Sequence, residues 1–171
     1  MENISKYITY EEATFSQKAK EKGLKNIPND AELEAMKYVA TEIFDKCREF
    51  FKGALGVNSF FRAKSLNAKI KGASTTSQHC KGEAIDINAT KYGTTTNSKL
   101  FLYIVNNLEF DQVIWEYGTD SEPQWVHVSK KKNSVNRNQI LKAVKVIVTN
   151  PDKTQSEKVK YFDITEKYKK K

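Results

Sequence analysis

The sequence predicts an α+β fold in which N-terminal helices pack on a small, mainly antiparallel sheet. Two patterns support this: segments with helical periodicity come early in the chain, and segments with strand alternation come late. Composition agrees with both. Hydrophobic residues make up 39% and charged residues 29% of the 171 positions, which is typical of a globular chain with a packed core.

Two helices are expected in the first third of the chain. Thr9 and Glu12 have capping-box spacing and Gly23 supplies a stop, which predicts a helix over about 10–22. Asp30 is the candidate N-cap of the second helix. The apolar stripe of this helix, which we interpret as core, comprises Leu33, Met36, Ala40, Ile43, Phe44, Cys47 and Phe51.

Strands are expected next. The Val- and Phe-containing segment 54–61 predicts one, followed by a short helix and loop over 64–77. Segment 83–87 alternates, so Ala84 and Asp86 should lie on one face of a strand and Ile85 and Ile87 on the other. We expect the isoleucines to face the core and Asp86 to face away from it.

The second half predicts one more helix and two strand pairs. Asn97 is the candidate N-cap of a helix with apolar residues through Leu108. Strands 112–116 and 125–129 should form a hairpin or lie close together. Segments 140–149 and 158–165 predict another hairpin, whose turn opens at Asn150 and Pro151.

Charge alone does not identify a partner. Lys and Arg outnumber Asp and Glu by 29 to 21, a formal charge of +8, which favours encounter with nucleic acid or anionic cell-wall polymers. Much of the excess lies in the lysines at 130–132 and 169–171, which we interpret as a solvated face and a tail. No nucleic-acid recognition motif accompanies them, so we expect no specific nucleic-acid partner.

Cysteines and targeting signals add little. Cys47 and Cys80 are too few for a disulfide framework and form no CxxC pair, so both are expected to be free thiols. We expect no signal peptide, because the N-terminal residues lack a basic segment followed by an apolar run. No apolar stretch approaches the length of a membrane span.

The two histidines of the chain, His79 and His127, predict a metal site together with Asp86. A catalytic zinc takes three ligands from His and Asp or Glu and leaves a fourth position to water. Gly82 allows the backbone to turn between His79 and Asp86, and His127 lies on a later strand. As a spacing this signal is weak, and a structural histidine is the ordinary alternative.

The residues around these ligands form longer motifs. The pattern SxHxxGxAxD is met by Ser77, His79, Gly82, Ala84 and Asp86, and the pattern WxH by Trp125 and His127. Both are signatures of the zinc D-alanyl-D-alanine carboxypeptidases, a family that includes phage cell-wall endopeptidases, and the chain resembles this family from about residue 4 to 146. Further matching positions are Arg62, Asn67, Gly72, Asp111, Gln112 and Glu116.

The resemblance implies a Hedgehog-like peptidase fold with one Zn²⁺ held by His79, Asp86 and His127. Many members carry an acid just before the last histidine, but here those positions hold Gln124, Trp125 and Val126. The resemblance therefore implies Glu116 as the catalytic base, by analogy with another arrangement in the wider fold family. Glu122 is the alternative, and a solvated loop acid is its simpler interpretation.

The remaining site residues also follow from the resemblance. Arg62 resembles the family arginine that binds substrate carboxylate or polarises the scissile carbonyl, with a surface salt bridge as the alternative. Ser77 and Gln78 are expected substrate contacts, although Ser77 could instead support His79. Cys80 is expected to be a buried thiol rather than a fourth ligand.

Together these expectations describe one zinc peptidase domain over 1–171, with a helical lead-in (1–53), a catalytic core (54–146) and a C-terminal strand and basic tail (147–171). Its substrate would be peptidoglycan stem peptide, cut by carboxypeptidase or endopeptidase action. We expect a monomer without a signal peptide, made in the bacterial cytoplasm and acting at the cell wall through phage lysis machinery or as a virion component. The alternative is a non-catalytic, zinc-containing cell-wall-binding or virion structural protein of the same fold.

Overall fold

The structure is a computed structural model and describes residues 2–168. Its α-helices are α1 (Tyr10–Thr14), α2 (Gln17–Glu21), α3 (Asp30–Val39), α4 (Lys46–Phe51), α5 (Lys64–Asn67), α6 (Asn97–Asn107) and α7 (Thr165–Tyr168). A π-helical segment (Ala40–Asp45) joins α3 to α4, and a 3₁₀ turn (Gln78–Lys81) precedes the second strand. The strands are β1 (Gly56–Ser59), β2 (Ala84–Asn88), β3 (Gln112–Glu116), β4 (Trp125–Ser129), β5 (Gln139–Thr149) and β6 (Gln155–Asp163).

The six strands form one sheet in the order β1-β2-β4-β3-β5-β6. Every neighbouring pair is antiparallel except β3 and β5, which are parallel. The expected α+β class with a mainly antiparallel sheet is therefore confirmed. The Hedgehog-like details of the architecture stay a prediction.

One face of the sheet packs on the helices. Ile85 and Ile87 of β2 and Val126 and Val128 of β4 are fully buried on this face, as the alternation predicts. They share a core with residues of α3, the π-helical segment, α4 and α6, among them Met36, Val39, Ile43, Phe44, Cys47, Leu100, Phe101 and Ile104. Each fully buried Leu, Ile, Val or Phe side chain contributes about 1.5–3 kcal/mol. The opposite face of β2 and β4 carries Asp86 and His127.

The segment 10–22 forms two short helices, so the prediction of one continuous helix is wrong. Phe15 has extended backbone angles and ends α1. Ser16 then caps α2 by accepting a hydrogen bond from the amide of Ala19 at 3.2 Å. A second capping residue inside the segment thus restarts the helix.

Two predicted N-caps are wrong by one residue. Asn29 rather than Asp30 caps α3, and Asn29 and Glu32 form a reciprocal capping box at 2.9 Å in each direction. Thr96 rather than Asn97 caps α6. In both cases the true cap precedes a residue of similar capping ability.

The strands agree with the sequence more closely than the helix ends do. β3 and β4 have the predicted bounds and pair with each other, and β2 is shifted by one residue from 83–87. β1 is shorter than 54–61, and its pairing with β2 is interrupted between Val57 and Ser59. β5 and β6 form the expected hairpin, with β6 beginning at Gln155 rather than at 158.

The interpretation of the lysines at 130–132 as a solvated face is wrong for Lys130 and Lys131. Lys130 is 4% exposed, and its Nζ lies 3.5 Å from Glu42 Oε2. Lys131 Nζ lies 2.8 Å from Asp111 Oδ1. Carboxylates distant in sequence draw these side chains inward. The lysines at 169–171 lie outside the described residues.

Over residues 2–168, none of the helices is both long enough and apolar enough to span a bilayer.

Candidate metal centre

The three predicted ligands meet on the sheet face that points away from the helical core. Asp86 of β2 and His127 of β4 are direct cross-strand partners, and the 3₁₀ turn brings His79 beside them. His127 Nδ1 lies 2.9 Å from Asp86 Oδ1. His79 Nε2 lies 3.3 Å from the same oxygen and 3.2 Å from His127 Nδ1. All three side chains are buried.

These separations fit a metal ion. Zinc bonds of about 2.0–2.2 Å in a tetrahedral arrangement place neighbouring donor atoms about 3.3 Å apart. The three observed separations of 2.9, 3.2 and 3.3 Å are close to this spacing. Two imidazoles and one carboxylate are also the donor types that Zn²⁺ takes in catalytic sites. The residues present therefore fit a single Zn²⁺.

Hydrogen bonding fixes the orientation of His79. Its Nδ1 lies 2.6 Å from the carbonyl oxygen of Phe60, so the protonated Nδ1 donates a hydrogen bond to that oxygen. Nε2 is then unprotonated and can bind a metal ion. Burial lowers the pKa of His79 and outweighs the raising effect of Asp86. The neutral imidazole, which is the form that binds a metal, is thus favoured.

Asp86 is held ionised. Burial alone would raise the pKa of this carboxyl, but charge interactions and hydrogen bonds with His79 and His127 lower it far below the usual range. A buried carboxylate without such partners would be expensive. Its charge is therefore available to a cation in this position.

Gly82 lets the turn of His79 pack tightly against α3. Its φ is +71°, and a Cβ at this position would lie only 2.3 Å from the carbonyl oxygen of Glu32. The Gly82 amide also donates to the carbonyl of His79 at 3.3 Å. Any larger residue would push the turn away from the helix.

Arg62 lies at the edge of the three ligands. Its Nη2 is 3.6 Å from Asp86 Oδ2, and its side chain is 16% exposed. Its backbone amide donates to the His79 carbonyl at 3.2 Å. Within residues 2–168, the buried Nε has no hydrogen-bond partner. The guanidinium is therefore mostly buried and differs in this from a surface salt bridge.

Glu116 lies on the same face, at the end of β3. Ile114 is the cross-strand partner of His127, and Glu116 is two residues further along the strand. The glutamate is 7% exposed. Burial raises its pKa to about 7, with His127 and Arg62 opposing this and Asp86 adding to it. A carboxyl that titrates near neutrality is suited to proton transfer.

Glu122 is engaged elsewhere. Its carboxylate accepts hydrogen bonds from the backbone amides of Asn97 at 2.6 Å and Ser98 at 3.2 Å, and from the Ser98 hydroxyl at 2.6 Å. These contacts cap the N-terminus of α6. Glu122 is therefore held at the start of α6, and the role of Glu116 as the base stays a prediction.

The other predicted residues surround His79. Ser77 is half-buried and its carbonyl accepts from the Cys80 amide at 3.1 Å. Gln78 donates to Glu83 Oε2 at 3.4 Å and accepts from Arg137 Nη2 at 3.3 Å. The substrate contacts assigned to Ser77 and Gln78 stay predictions.

Cys80 is buried and is not among the residues whose ligand atoms converge. Burial raises the pKa of its thiol. Both observations agree with the predicted buried thiol.

Sequence reasoning missed Arg137, which ties the start of β3 to the turn of His79. Its Nε and Nη2 donate to Asp111 Oδ2 at 3.0 and 2.5 Å, while Nη2 also reaches Gln78. Asp111 is fully buried, and these bonds, with that of Lys131, lower its pKa to about 2 against the effect of burial. A lone arginine in a basic loop carries no sequence signal for this role.

Comparison with known families agrees with the geometry. A sequence model of the Peptidase M15 family matches residues 6–129, well over half of the chain. The chain belongs to this family. The match confirms the resemblance to the zinc D-alanyl-D-alanine carboxypeptidases.

M15 family membership indicates a metallopeptidase. Members of the family depend on zinc, and the matched segment contains His79, Asp86, His127, Arg62 and Glu116. No significant match was found among curated proteins.

Proposed function

We propose that this protein is a zinc peptidase that hydrolyses peptide bonds in the stem peptides of bacterial peptidoglycan. The observation that carries the proposal is the convergence of His79, Asp86 and His127, whose ligand atoms all lie within 4.8 Å of one another, in a chain of the M15 family. These residues would hold one Zn²⁺. When bound, the ion supplies Lewis-acid chemistry and makes water a stronger acid.

Glu116 is the proposed general base. Its carboxylate would accept a proton from the attacking water and later deliver it to the leaving nitrogen of the cleaved peptide bond. Burial raises its pKa, which favours uptake of the proton, and a bound cation nearby would favour its release.

Arg62 is the proposed substrate-binding cation. Its planar, permanently charged guanidinium suits a carboxylate or a carbonyl oxygen that gains negative charge during the reaction. The position of its Nη2, 3.6 Å from Asp86 Oδ2, supports this role. Ser77 and Gln78 are proposed to contact the same peptide from the turn of His79.

The positive charge of the protein supports a role at the cell envelope. A formal charge of +8 favours approach to an anionic cell envelope, and added salt should weaken this attraction. We propose a single-domain monomer of phage or prophage origin, delivered to the cell wall by lysis machinery or carried in a virion.

Mass spectrometry of products from defined muropeptides tests the function. The zinc-loaded protein should release new fragments, the chelated protein none, and zinc should restore them. Loss of a terminal D-alanine would indicate carboxypeptidase action, and an internal cut endopeptidase action. Cleavage that persists after complete zinc removal would refute the metal mechanism.

Glu116→Gln separates the enzyme from a non-catalytic binding protein of the same fold. An enzyme should lose most turnover while its zinc content, measured by atomic absorption, stays unchanged. A binding protein should retain the same affinity for peptidoglycan in both forms and cleave it in neither.

A further inference from the structure

The β5–β6 hairpin lies beyond the segment that matches the M15 family, which ends at residue 129. The hairpin nevertheless continues the sheet that carries the candidate site, because β5 pairs directly with β3 and β6 pairs with β5. The face that presents Glu116 is therefore extended by two strands that the family match does not include.

A single row of paired residues crosses these strands. Trp125 of β4 is opposite Glu116 of β3, Glu116 is opposite Ala143 of β5, and Ala143 is opposite Tyr161 of β6. Directly paired residues point to the same side of a sheet. Trp125, Glu116, Ala143 and Tyr161 thus share the face of His127.

The spacing of the row brings Tyr161 within reach of the site. Strands are about 4.8 Å apart, so the backbones of Glu116 and Tyr161 are about 10 Å apart. Ala143, which lies between them, is fully buried and contributes only a methyl group. No long side chain therefore separates the tyrosine from Glu116 within the row.

The electrostatics of Tyr161 agree with this placement. Burial raises the pKa of the phenol, the charges of Glu116 and Asp86 raise it further, and Arg62 lowers it. The phenol thus lies within electrostatic range of three groups of the site and keeps its proton at neutral pH. Tyr161 is still 53% exposed, so the residue is accessible to a ligand.

Tyr117 contacts residues on both sides of Glu116, since Lys145 Nζ of β5 lies 5.3 Å from the centroid of its ring. The rings of Tyr117 and Trp125 meet edge-to-face with centroids 5.3 Å apart. The Tyr117 amide donates to the carbonyl of Ala143 at 3.1 Å, so the chain just after Glu116 is bonded to the hairpin. Glu116 is therefore flanked by Trp125 on one side and by the hairpin on the other.

We propose that Tyr161 is a substrate-contact residue, whose hydroxyl donates a hydrogen bond to a carbonyl or carboxylate oxygen of the peptide bound over Glu116. The β5–β6 hairpin then forms one wall of the substrate groove. This assignment rests on the proposed peptidase function and adds to it a binding element outside the matched segment.

Tyr161→Phe tests the assignment, because it removes the hydroxyl and keeps the ring. Tyr92→Phe is the matched control, since Tyr92 is similarly exposed, at 56%, in the loop after β2. With the muropeptide that the zinc-loaded wild type cleaves, Tyr161→Phe should lose roughly fivefold to tenfold in kcat/KM, the size of one hydrogen bond. Tyr92→Phe should match the wild type, and all three proteins should hold equal zinc.

Two results would overturn the assignment. One is a kcat/KM for Tyr161→Phe within twofold of the wild-type value. The other is a loss of activity that is accompanied by a loss of zinc, which would make Tyr161 a support of the metal site instead of a substrate contact.

Failure of the proposed function would look different, because the zinc-loaded wild type would then cleave no muropeptide. Calorimetric titration with a stem pentapeptide decides the role of Tyr161 in that case. Binding that is weakened fivefold or more by Tyr161→Phe alone would support the contact. Equal binding by all three proteins, or no binding by the wild type, would overturn it.

Discussion

Replacing Glu116 with glutamine should stabilise the zinc-free protein at high pH. Glutamine keeps the shape of the side chain and removes its charge. Burial raises the pKa of Glu116 from 4.5 to about 7, so the folded protein favours the protonated carboxyl. Ionisation therefore costs the folded state nothing below pH 4.5, progressively more between 4.5 and 7, and the full amount above 7.

The expected magnitude follows from that interval. At about 1.36 kcal/mol for each pH unit, a rise from 4.5 to about 7 corresponds to about 3 kcal/mol. Glu116→Gln should thus exceed the wild type in free energy of unfolding by up to about 3 kcal/mol at pH 8. At pH 4 the two proteins should be equally stable.

Urea denaturation of both zinc-free proteins at pH 4, 6 and 8, followed by tryptophan fluorescence, measures this difference. Glu122→Gln is the control, and it should destabilise the protein because it weakens the three hydrogen bonds that cap α6. If Glu116→Gln stabilises the protein equally at pH 4 and pH 8, or at neither pH, then ionisation of the buried Glu116 carboxyl does not destabilise the folded state and the reasoning is refuted.

Three further predictions concern the metal ligands and their supports. His127→Ala should reduce bound zinc from one equivalent to none with little change in circular dichroism, and one retained equivalent would contradict the ligand set. Gly82→Ala should lower the free energy of unfolding by about 1–3 kcal/mol. The added Cβ would lie 2.3 Å from the Glu32 carbonyl oxygen, and the backbone φ of +71° disfavours alanine. A loss below about 0.5 kcal/mol in urea denaturation would contradict this prediction. Asp111→Asn should cost about 2 kcal/mol at pH 7, since the pKa of Asp111 is lowered from 3.8 to about 2. That stabilisation is present above pH 3.8 and disappears as the pH falls through 2, so a difference that does not vary with pH would show that the charge is not its cause.

The strands of the site could be predicted from the sequence because alternation has a strict period of two. Once Ile85 and Ile87 are assigned to the core, Asp86 must face the other side, and the same reasoning applies to His127 between two valines. The motifs then supply His79, which has no periodicity of its own. These three positions therefore required no tertiary information.

The helix caps were harder to predict because neighbouring residues compete. Asn29 precedes Asp30 and Thr96 precedes Asn97, and each pair holds two good capping side chains. The structure resolves the second pair through tertiary contacts: Asn97 accepts from the Ala89 amide at 2.7 Å and donates to the carbonyls of residues 123 and 124.

Long-range charge pairs could not be predicted at all. Lys130 is buried because Glu42 lies beside it in the fold, and Arg137 matters because Asp111 is buried under its loop. The contact of Glu122 with the start of α6 has the same origin, since only the folded chain brings this carboxylate to the Asn97 amide. Each of these contacts joins residues that are far apart in the sequence, so no local pattern predicts it.

The cross-strand pairing of Asp86 with His127 couples metal binding to folding. Two of the proposed ligands belong to the adjacent strands β2 and β4, so unfolding the sheet would separate them and destroy the site. A metal ion bound by these side chains therefore stabilises the native state by RT ln(1 + [M]/Kd), which is about 2.7 kcal/mol at a free concentration 100 times Kd. The fraction of protein that is folded would then depend on the free metal concentration as well as on the hydrophobic core.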